Sequence, residues 1–504
     1  MALASVLLQI GTLGLVVFIT QCVLAYLRSP LKKIPGPFLA KFSDLWRLFN
    51  AYEKKHITTQ LQLHEKYGDY VQLGPNVVSV ADPSLVKTIY STRGTFLKSD
   101  FYAINDAMQD GKIIQNIFGT RSNEFHSKYI RPVQKLYTFQ SVKEYEPVMA
   151  QSLTTFFQEL ESRFVDGANQ GKTCDIADWI SYLTWDILGE MTFSKPFGFM
   201  EQATDVGGML QTAEKNMDYQ SVIGQMPFLD KWLAKNPRLA SKFPAFAATA
   251  GFCVERFMER MQKLDQFEGK SDFMNHFLRA KEEHPTVVTD NEVIAYMIIN
   301  VLGGADTTSI TTKAVVYHVL KNPAVQARLV EELRAAKLSH PAPYSSLEHL
   351  PYLDACIKEG LRIHPVVGHI MERVVPSTGL ALANGVTLPP GTVVGVNPWV
   401  VHRRADVYGE RPNEFLPERW LQSKSESNAE FEERMKRMGD ADLSFGKGNR
   451  VCLGRPLALV EMAKIVGTLF AKYEIELEDP SAEWEVHPQW FVWPHKIRVK
   501  MTRY

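Results

Sequence analysis

The sequence has no net charge, with Lys+Arg and Asp+Glu both numbering 56. That balance excludes the broadly basic surface that nucleic-acid binding needs. Cysteine is scarce and scattered. The five residues, Cys22, Cys174, Cys253, Cys356 and Cys452, form no CxxC pair, and their number is odd. No disulfide framework is visible, a CxxC-type zinc site is excluded, and a reducing, cytosol-facing compartment fits. Internal repeats and low-complexity linkers are lacking too, as are a Gly-rich dinucleotide fingerprint and a flavin domain.

Long apolar runs are limited to one. Leu3 to Leu27 holds no charged side chain. As a helix it would be ~37 Å long, enough to cross a hydrocarbon core of ~30 Å. Arg28, Lys32 and Lys33 follow it and would hold that end in the cytosol. A cleaved secretory signal fits less well, because the run is too long for an h-region and no basic n-region precedes it. Pro35-Gly36-Pro37 then breaks the helix. The expected organisation is a transmembrane anchor over 1–27, a proline-rich hinge over 28–37 and one domain over 38–504, in a single-pass protein.

The domain reads as mainly α with small β-sheets. Strand-like pieces lie near Tyr70–Val80, Val386–Val396 and Lys496–Thr502. The polar stretch Ser423–Asp440 reads as a solvated surface loop. One helix is unusually long. Thr289-Asp290-Asn291-Glu292 has capping-box spacing, and the pattern runs on to Asn322 before Pro323. Its first half is apolar on every face, as in a helix buried through a domain.

Two segments carry chemistry. Gly303-Gly304-Ala305-Asp306-Thr307-Thr308 lies within that long helix, and each glycine there costs ~1 kcal/mol against alanine. Such a pair suggests that something flat presses on the helix. Thr307 can bond back to the Gly303 carbonyl, and Asp306 is a buried acid suited to proton relay. A kinked structural helix would explain this segment equally well. The second segment is Phe445-Gly446-Lys447-Gly448-Asn449-Arg450-Val451-Cys452-Leu453-Gly454. Its glycines allow close backbone approach to a planar ligand. The helix that follows, with Pro456 in its first turn, favours a thiolate at Cys452. Arg450 could pair with a carboxylate of the ligand, and Phe445 could shield the sulfur. An inert buried cysteine would explain Cys452, but not Phe445, Gly448, Arg450 and Gly454 at these offsets.

Phe445-x-x-Gly448-x-Arg450-x-Cys452-x-Gly454 resembles the haem-binding signature of the cytochrome P-450 family at every position. Gly303-Gly304-x-Asp306-Thr307-Thr308 resembles that family's oxygen-activation motif, Glu359-Gly360-Leu361-Arg362 its Glu-x-x-Arg motif, and Pro417-Glu418-Arg419-Trp420 its later Pro-Glu-Arg-aromatic motif. Glu331-x-x-Arg334 has the same spacing but lacks the following His364-Pro365. The style of the C-terminal motifs is similar to fungal microsomal members of specialised metabolism.

The resemblance implies the P-450 fold and haem b, iron protoporphyrin IX, with Cys452 as the iron ligand. It implies Asp306 and Thr307 as proton donors, and Glu359, Arg362 and Arg419 as a structural charge cluster. Arg450 and Arg373 are the implied propionate contacts. Many members add a Trp or His followed four residues later by Arg. Here His126 is followed by Ile130, then Arg131, so the expectation is that Arg131 or another base substitutes, or that the propionate contact is rearranged. The implied activity is insertion of one oxygen atom from O2 into an apolar small molecule. Electrons would come from NADPH through a flavoprotein reductase, with cytochrome b5 as a further donor, at the endoplasmic reticulum membrane. Lys128, Lys447 and Arg455 are candidates for the docking face. The pocket would be lined from Phe101–Phe118, Leu302–Ala305, Val366–Ile370 and Trp490-Phe491. A haem-thiolate isomerase, dehydratase or peroxide-dependent enzyme, and a non-catalytic haem sensor, are the competing readings. The intact Asp306-Thr307 pair argues against the former.

Overall fold

Uniform apolarity makes the first element a helix with nothing to pack on. In the computed structural model, which describes residues 2–109, 112–243, 247–267 and 269–504, helix α1 spans Ala2–Arg28. Leu13, Ile19 and Leu27 stand exposed on it. Lys32 Nζ donates to the Leu27 carbonyl (2.6 Å) and caps its end. Gly11–Arg28 is long and apolar enough to cross a membrane. The segment after it is not slack. Leu31 and Ile34 are fully buried, and Gln72 N–H donates to the Pro35 carbonyl (2.7 Å). A Cβ on Gly36 would come 2.2 Å from the Gln72 carbonyl oxygen, so this close crossing requires glycine.

The Val-rich stretches pair as expected of β-branched residues. Tyr70–Gly74 (β1) and Val77–Val80 (β2) form a hairpin. Leu97–Lys98 is a further short strand (β3). Of the helices that follow, three bear on the site: α2, Ile176–Phe193; α3, Met209–Ile223; and the long α4, Asp290–Leu320. The capping box at Thr289 and Glu292 is formed. Helix α4 ends a residue or two short of the position that Pro323 marks. It also has the length and apolarity of a membrane span, but much of it is buried in the protein.

Helix α5 (Pro351–Ile363) precedes two more strands, Arg373–Val374 (β4) and Val393–Val396 (β5). They complete a five-stranded sheet in the order β1-β2-β5-β4-β3. The expected strand over Val386–Val396 is in fact two strands. Thr387–Leu388 pairs with Leu380–Ala381, and Pro389-Pro390, which lack N–H donors, separate it from β5. Another difference is larger. Ser423–Asp440 is not a loop throughout, because α6 spans Asn428–Ala441 behind a Ser427/Glu430 capping box. Its charges coat an exposed helix. Helix α7 (Arg455–Lys472) follows and packs on α4. A three-stranded sheet joins Tyr473–Leu477, Arg498–Arg503 and Cys174–Asp175. The main core lies among α2, α4, α5 and α7.

Candidate active site

The cysteine loop is built by its glycines. Gly446 (φ 67°) and Gly448 (φ 71°) both take the left-handed conformation that other residues avoid. A Cβ on Gly448 would also lie 2.2 Å from the Tyr90 carbonyl oxygen. That crowding with the chain explains Gly448 without any ligand. The loop closes with Cys452 N–H donating to the Phe445 carbonyl (2.8 Å). Gly454 is the N-cap of α7, which brings the N–H groups of Gly454 and Arg455 near enough to the Cys452 sulfur to favour its thiolate. Burial pushes this thiol up, while those two N–H groups and the Arg455 charge pull the other way. Cys452 lies deep in the protein yet keeps an open surface, so its sulfur faces an internal space. The Phe445 ring lies beside the Arg455 guanidinium (5.7 Å).

Helix α4 faces an opening as well. Nothing lies within 4 Å of where a Cβ on Gly303 would be, whereas one on Gly304 would meet Leu188 of α2 at 2.9 Å. The two adjacent glycines thus serve different ends: one leaves space, the other lets α2 approach. Thr307 Oγ1 donates to the Gly303 carbonyl (2.7 Å), as its spacing predicts. Asp306 is buried and accepts a bond from Trp185 Nε1 (2.9 Å). Burial raises its carboxyl to about 6, opposed by the Trp185 bond and the Lys313 charge. Tyr137 links the two sides. It lies close enough to feel a charge on Cys452, and its hydroxyl donates to Asn300 Oδ1 of α4 (2.8 Å).

A group of cations completes the site. Lys98 and Arg373 are direct cross-strand partners in the β3–β4 pair, both buried. Like charges placed opposite each other destabilise a sheet. Burial, then Arg373 and Arg450, push the Lys98 ammonium well down. Arg450 bonds the Ser122 carbonyl (3.0 Å) and Asn123 Oδ1 (3.3 Å), but its Nε is buried without a partner. Among the described residues none of these three cations has a carboxylate partner; Glu372 is taken by Arg47 and by Ser99 (2.5 Å). Two buried cations, Lys98 and Arg373, and the half-buried Arg450, none with an anion, fit the two carboxylates of a haem, and the exposed cysteine fits its iron.

His126 stands beside this group. Burial, Arg450 and Lys98 lower it to about 4. Arg131 is exposed and makes no ion pair among the described residues, so the structure leaves it outside. Lys98 is another base in this group, one that sequence reasoning missed. One lysine in a two-residue strand carries no local signal; only the register opposite Arg373 marks it.

Glu359 sits at the centre of the charge cluster and is fully buried. Its carboxylate accepts from Arg362 Nε and Nη2 (both 2.8 Å), Arg419 Nε (2.9 Å), Leu416 N–H (2.8 Å) and Trp420 Nε1 (2.8 Å). Glu331 and Arg334 make no such pair; Arg334 packs on the Tyr504 ring.

Of the expected pocket segments, the structure gathers Phe101, Val366, Val367, Trp490 and Phe491, with Ile310 rather than Leu302–Ala305 as their partner from α4. Residues 110–111 of the Phe101–Phe118 stretch lie outside the described residues. The Val366–Ile370 segment also brings a polar feature that its apolar reading overlooked. His369 pairs with Ser221 (2.6 Å) and stacks on His56. Of the docking candidates, Lys128 and Arg455 are exposed, whereas Lys447 donates to the Gly439 carbonyl (2.6 Å) and so caps α6.

The family model described as Cytochrome P450 matches residues 36–501. The chain is 34% identical over 491 residues to "Cytochrome P450 monooxygenase cfoH" of Aspergillus candidus, covering 97% of this chain and 91% of that protein. It is also 34% identical to "Cytochrome P450 monooxygenase cicH" of Emericella nidulans, covering 96% of each. With "Cytochrome P450 monooxygenase asR2" of Sarocladium schorii it shares 33% identity over 521 residues, covering 99% and 96%.

Proposed function

The chain belongs to the cytochrome P450 family and is a haem monooxygenase, and on that premise we propose that it oxidises an apolar small molecule by hydroxylation, epoxidation or several such steps. The observation that carries the reading is the pairing of an exposed Cys452 at the start of α7 with three anion-free cations, the buried Lys98 and Arg373 and the half-buried Arg450. Bound haem supplies the oxygen-activating iron. Cys452 holds that iron, with the Gly454 and Arg455 N–H groups steadying the sulfur. The three cations orient the propionates. Asp306 supplies protons and Thr307 passes them on. The aromatic cluster around Phe101 and Trp490 excludes water from the substrate space.

Fungal relatives of this name support a role in secondary-metabolite biosynthesis. Residues 1–27 serve as a single membrane anchor in the endoplasmic reticulum, 28–37 as the hinge and 38–504 as a cytosolic catalytic domain. Electrons come from NADPH through a flavoprotein reductase, assisted by cytochrome b5. The donor docks on the Cys452 side, where Lys128 and Arg455 are exposed.

Reconstitution with reductase and NADPH tests the reading against a fungal extract of apolar metabolites. Oxygen and NADPH consumption stimulated by an extract component is the expected result. Haem binding without any consumption would indicate a sensor, and product formed without reductase would indicate a peroxide user or isomerase. In the same assay Thr307→Ala should keep the haem spectrum. Its product per NADPH should fall on the order of 10-fold to 10²-fold. Fully coupled turnover would remove Thr307 from the proton path.

Lys98→Met gives two effects of opposite sign. Removing the like charge opposite Arg373 should raise the unfolding midpoint of the apoprotein. Losing a charge-assisted bond of ~1.5–3 kcal/mol should speed haem transfer to a scavenging globin by roughly 10–100-fold. Unchanged haem transfer would mean that Lys98 does not touch the propionates.

A further inference from the structure

Helices α2 and α4 make the most extensive helix pair in the fold, and most of their shared face is apolar. One stripe is not. On α4, Asp306, Ser309 and Lys313 recur at spacings of three and four residues, so they share a face. On α2, Asp178, Ser181 and Trp185 do the same. The stripes meet rung by rung in antiparallel order. Trp185 Nε1 donates to Asp306 Oδ1 (2.9 Å), and the Ser181 and Ser309 hydroxyls bond each other (3.1 Å). At the third position along the seam Asp178 and Lys313 form no ion pair, but each lies near enough for its charge to act on the other.

The stripe runs from the inside out. Asp306 and Lys313 are 5% and 2% exposed, whereas Asp178 is exposed. Lys313 makes no hydrogen bond or ion pair among the described residues. A buried ammonium without a direct partner needs water. Helical side chains lean toward the N-terminus, which aims Lys313 at Ser309 and Asp306. Successive rungs are about 5–6 Å apart, a gap that one water bridges.

We propose that this seam is the path by which solvent protons reach Asp306. The inference rests on reading Asp306 as the proton donor and goes beyond it by naming the supply. A proton enters at Asp178. Lys313 gives its own proton through the Ser309 and Ser181 hydroxyls to the Asp306 carboxylate, and the amine that remains takes one from Asp178. One proton enters for each that Asp306 releases, and no electrons move. The other charges facing the seam are Asp175 at the start of α2, Glu214 on α3 with His495 bound to it (3.0 Å), and Asp205. Burial lowers the Lys313 ammonium, which eases its release of a proton.

The test needs no identified substrate. NADPH oxidation by the full chain with its reductase is followed in H2O and D2O across pH, and the reduced CO spectrum serves as the fold control. Asp306→Asn should slow oxidation and enlarge the solvent isotope effect. The surface change Asp178→Asn, with Lys313→Met and Ser309→Ala, should slow it roughly 3–10-fold, with a larger isotope effect and a displaced pH profile. Lys313→Arg keeps the charge but cannot release its proton, so it should stay slow; full rescue would make Lys313 a mere counter-charge and overturn the path. If Asp306→Asn slows oxidation while Asp178→Asn and Ser309→Ala behave as wild type, protons reach Asp306 by another route and the proposal fails alone. If Asp306→Asn has no effect, the donor reading fails and the path falls with it. Should Lys313→Met not fold, Asp178→Asn and Ser309→Ala decide the matter.

Discussion

Cys452→Ala is expected to give a folded protein whose reduced, CO-bound form has lost the red-shifted Soret band completely. The side chain contributes little to packing, because Cys452 is exposed and not part of the apolar core. Its backbone keeps the bond to the Phe445 carbonyl (2.8 Å) in the variant. No other thiol can take its place. Cys174, Cys253 and Cys356 are buried, and burial pushes each of those thiols up and away from thiolate character. Cys22 lies on α1. Absorbance of the reduced CO complex, beside circular dichroism for the fold, measures the result. A retained band would assign the iron to a different ligand.

Glu359→Gln should have the largest effect on stability. The carboxylate takes five donors, two of them from Arg362. Arg362 itself is 1% exposed and reaches three further carbonyls, of His402, Pro412 and Glu414. Removing one partner of a buried ion pair costs about 3–5 kcal/mol, because the other charge is left uncompensated. Against a total stability of ~5–15 kcal/mol, that would leave little folded, haem-loaded protein. Urea unfolding measures it, and a change under ~1 kcal/mol would show that the cluster is dispensable.

The same carboxylate predicts an acid limit. Burial alone would raise Glu359, but its bonds to Arg362, the charges of Arg362 and Arg419 and the Leu416 N–H hold it below the ordinary range. A depressed carboxyl stabilises the fold above its unfolded pKa, near 4.3. That contribution is lost as pH falls through the lower folded value. Wild-type protein should therefore lose stability steeply in acid, and Glu359→Gln should flatten that limb.

These two residues also show how unevenly the site could be read from the chain. Cys452 is legible because everything that shapes it is local: Phe445, Gly448 and Gly454 set the loop, and the helix start supplies the N–H groups. Helix α4 is legible for the same reason, since its capping box and apolar run are contiguous. The Ser427/Glu430 box before α6 was equally local, but the charge density around it suggested a loop, because a solvated helix and a solvated loop have similar compositions. Glu359 needed the following His364-Pro365 to tell it from Glu331. Even then the Trp420 and Leu416 donors came only with the fold.

The sequence by itself determined the Cys452 loop, the long helix with Asp306 and Thr307, and the apolar N-terminal run, and the resemblance of its motifs implied the reaction class. Each of those three elements is written in contiguous residues whose backbone or helical spacing fixes their relation. Tertiary structure alone decided that Lys98 opposes Arg373, that Arg131 is exposed without an ion pair among the described residues, that Ile310 joins the aromatic cluster, and that Ser309 bonds Ser181 with Lys313 further along the same seam. Strand register and the antiparallel packing of two helices set those contacts, and neither is encoded in the spacing of residues along one segment.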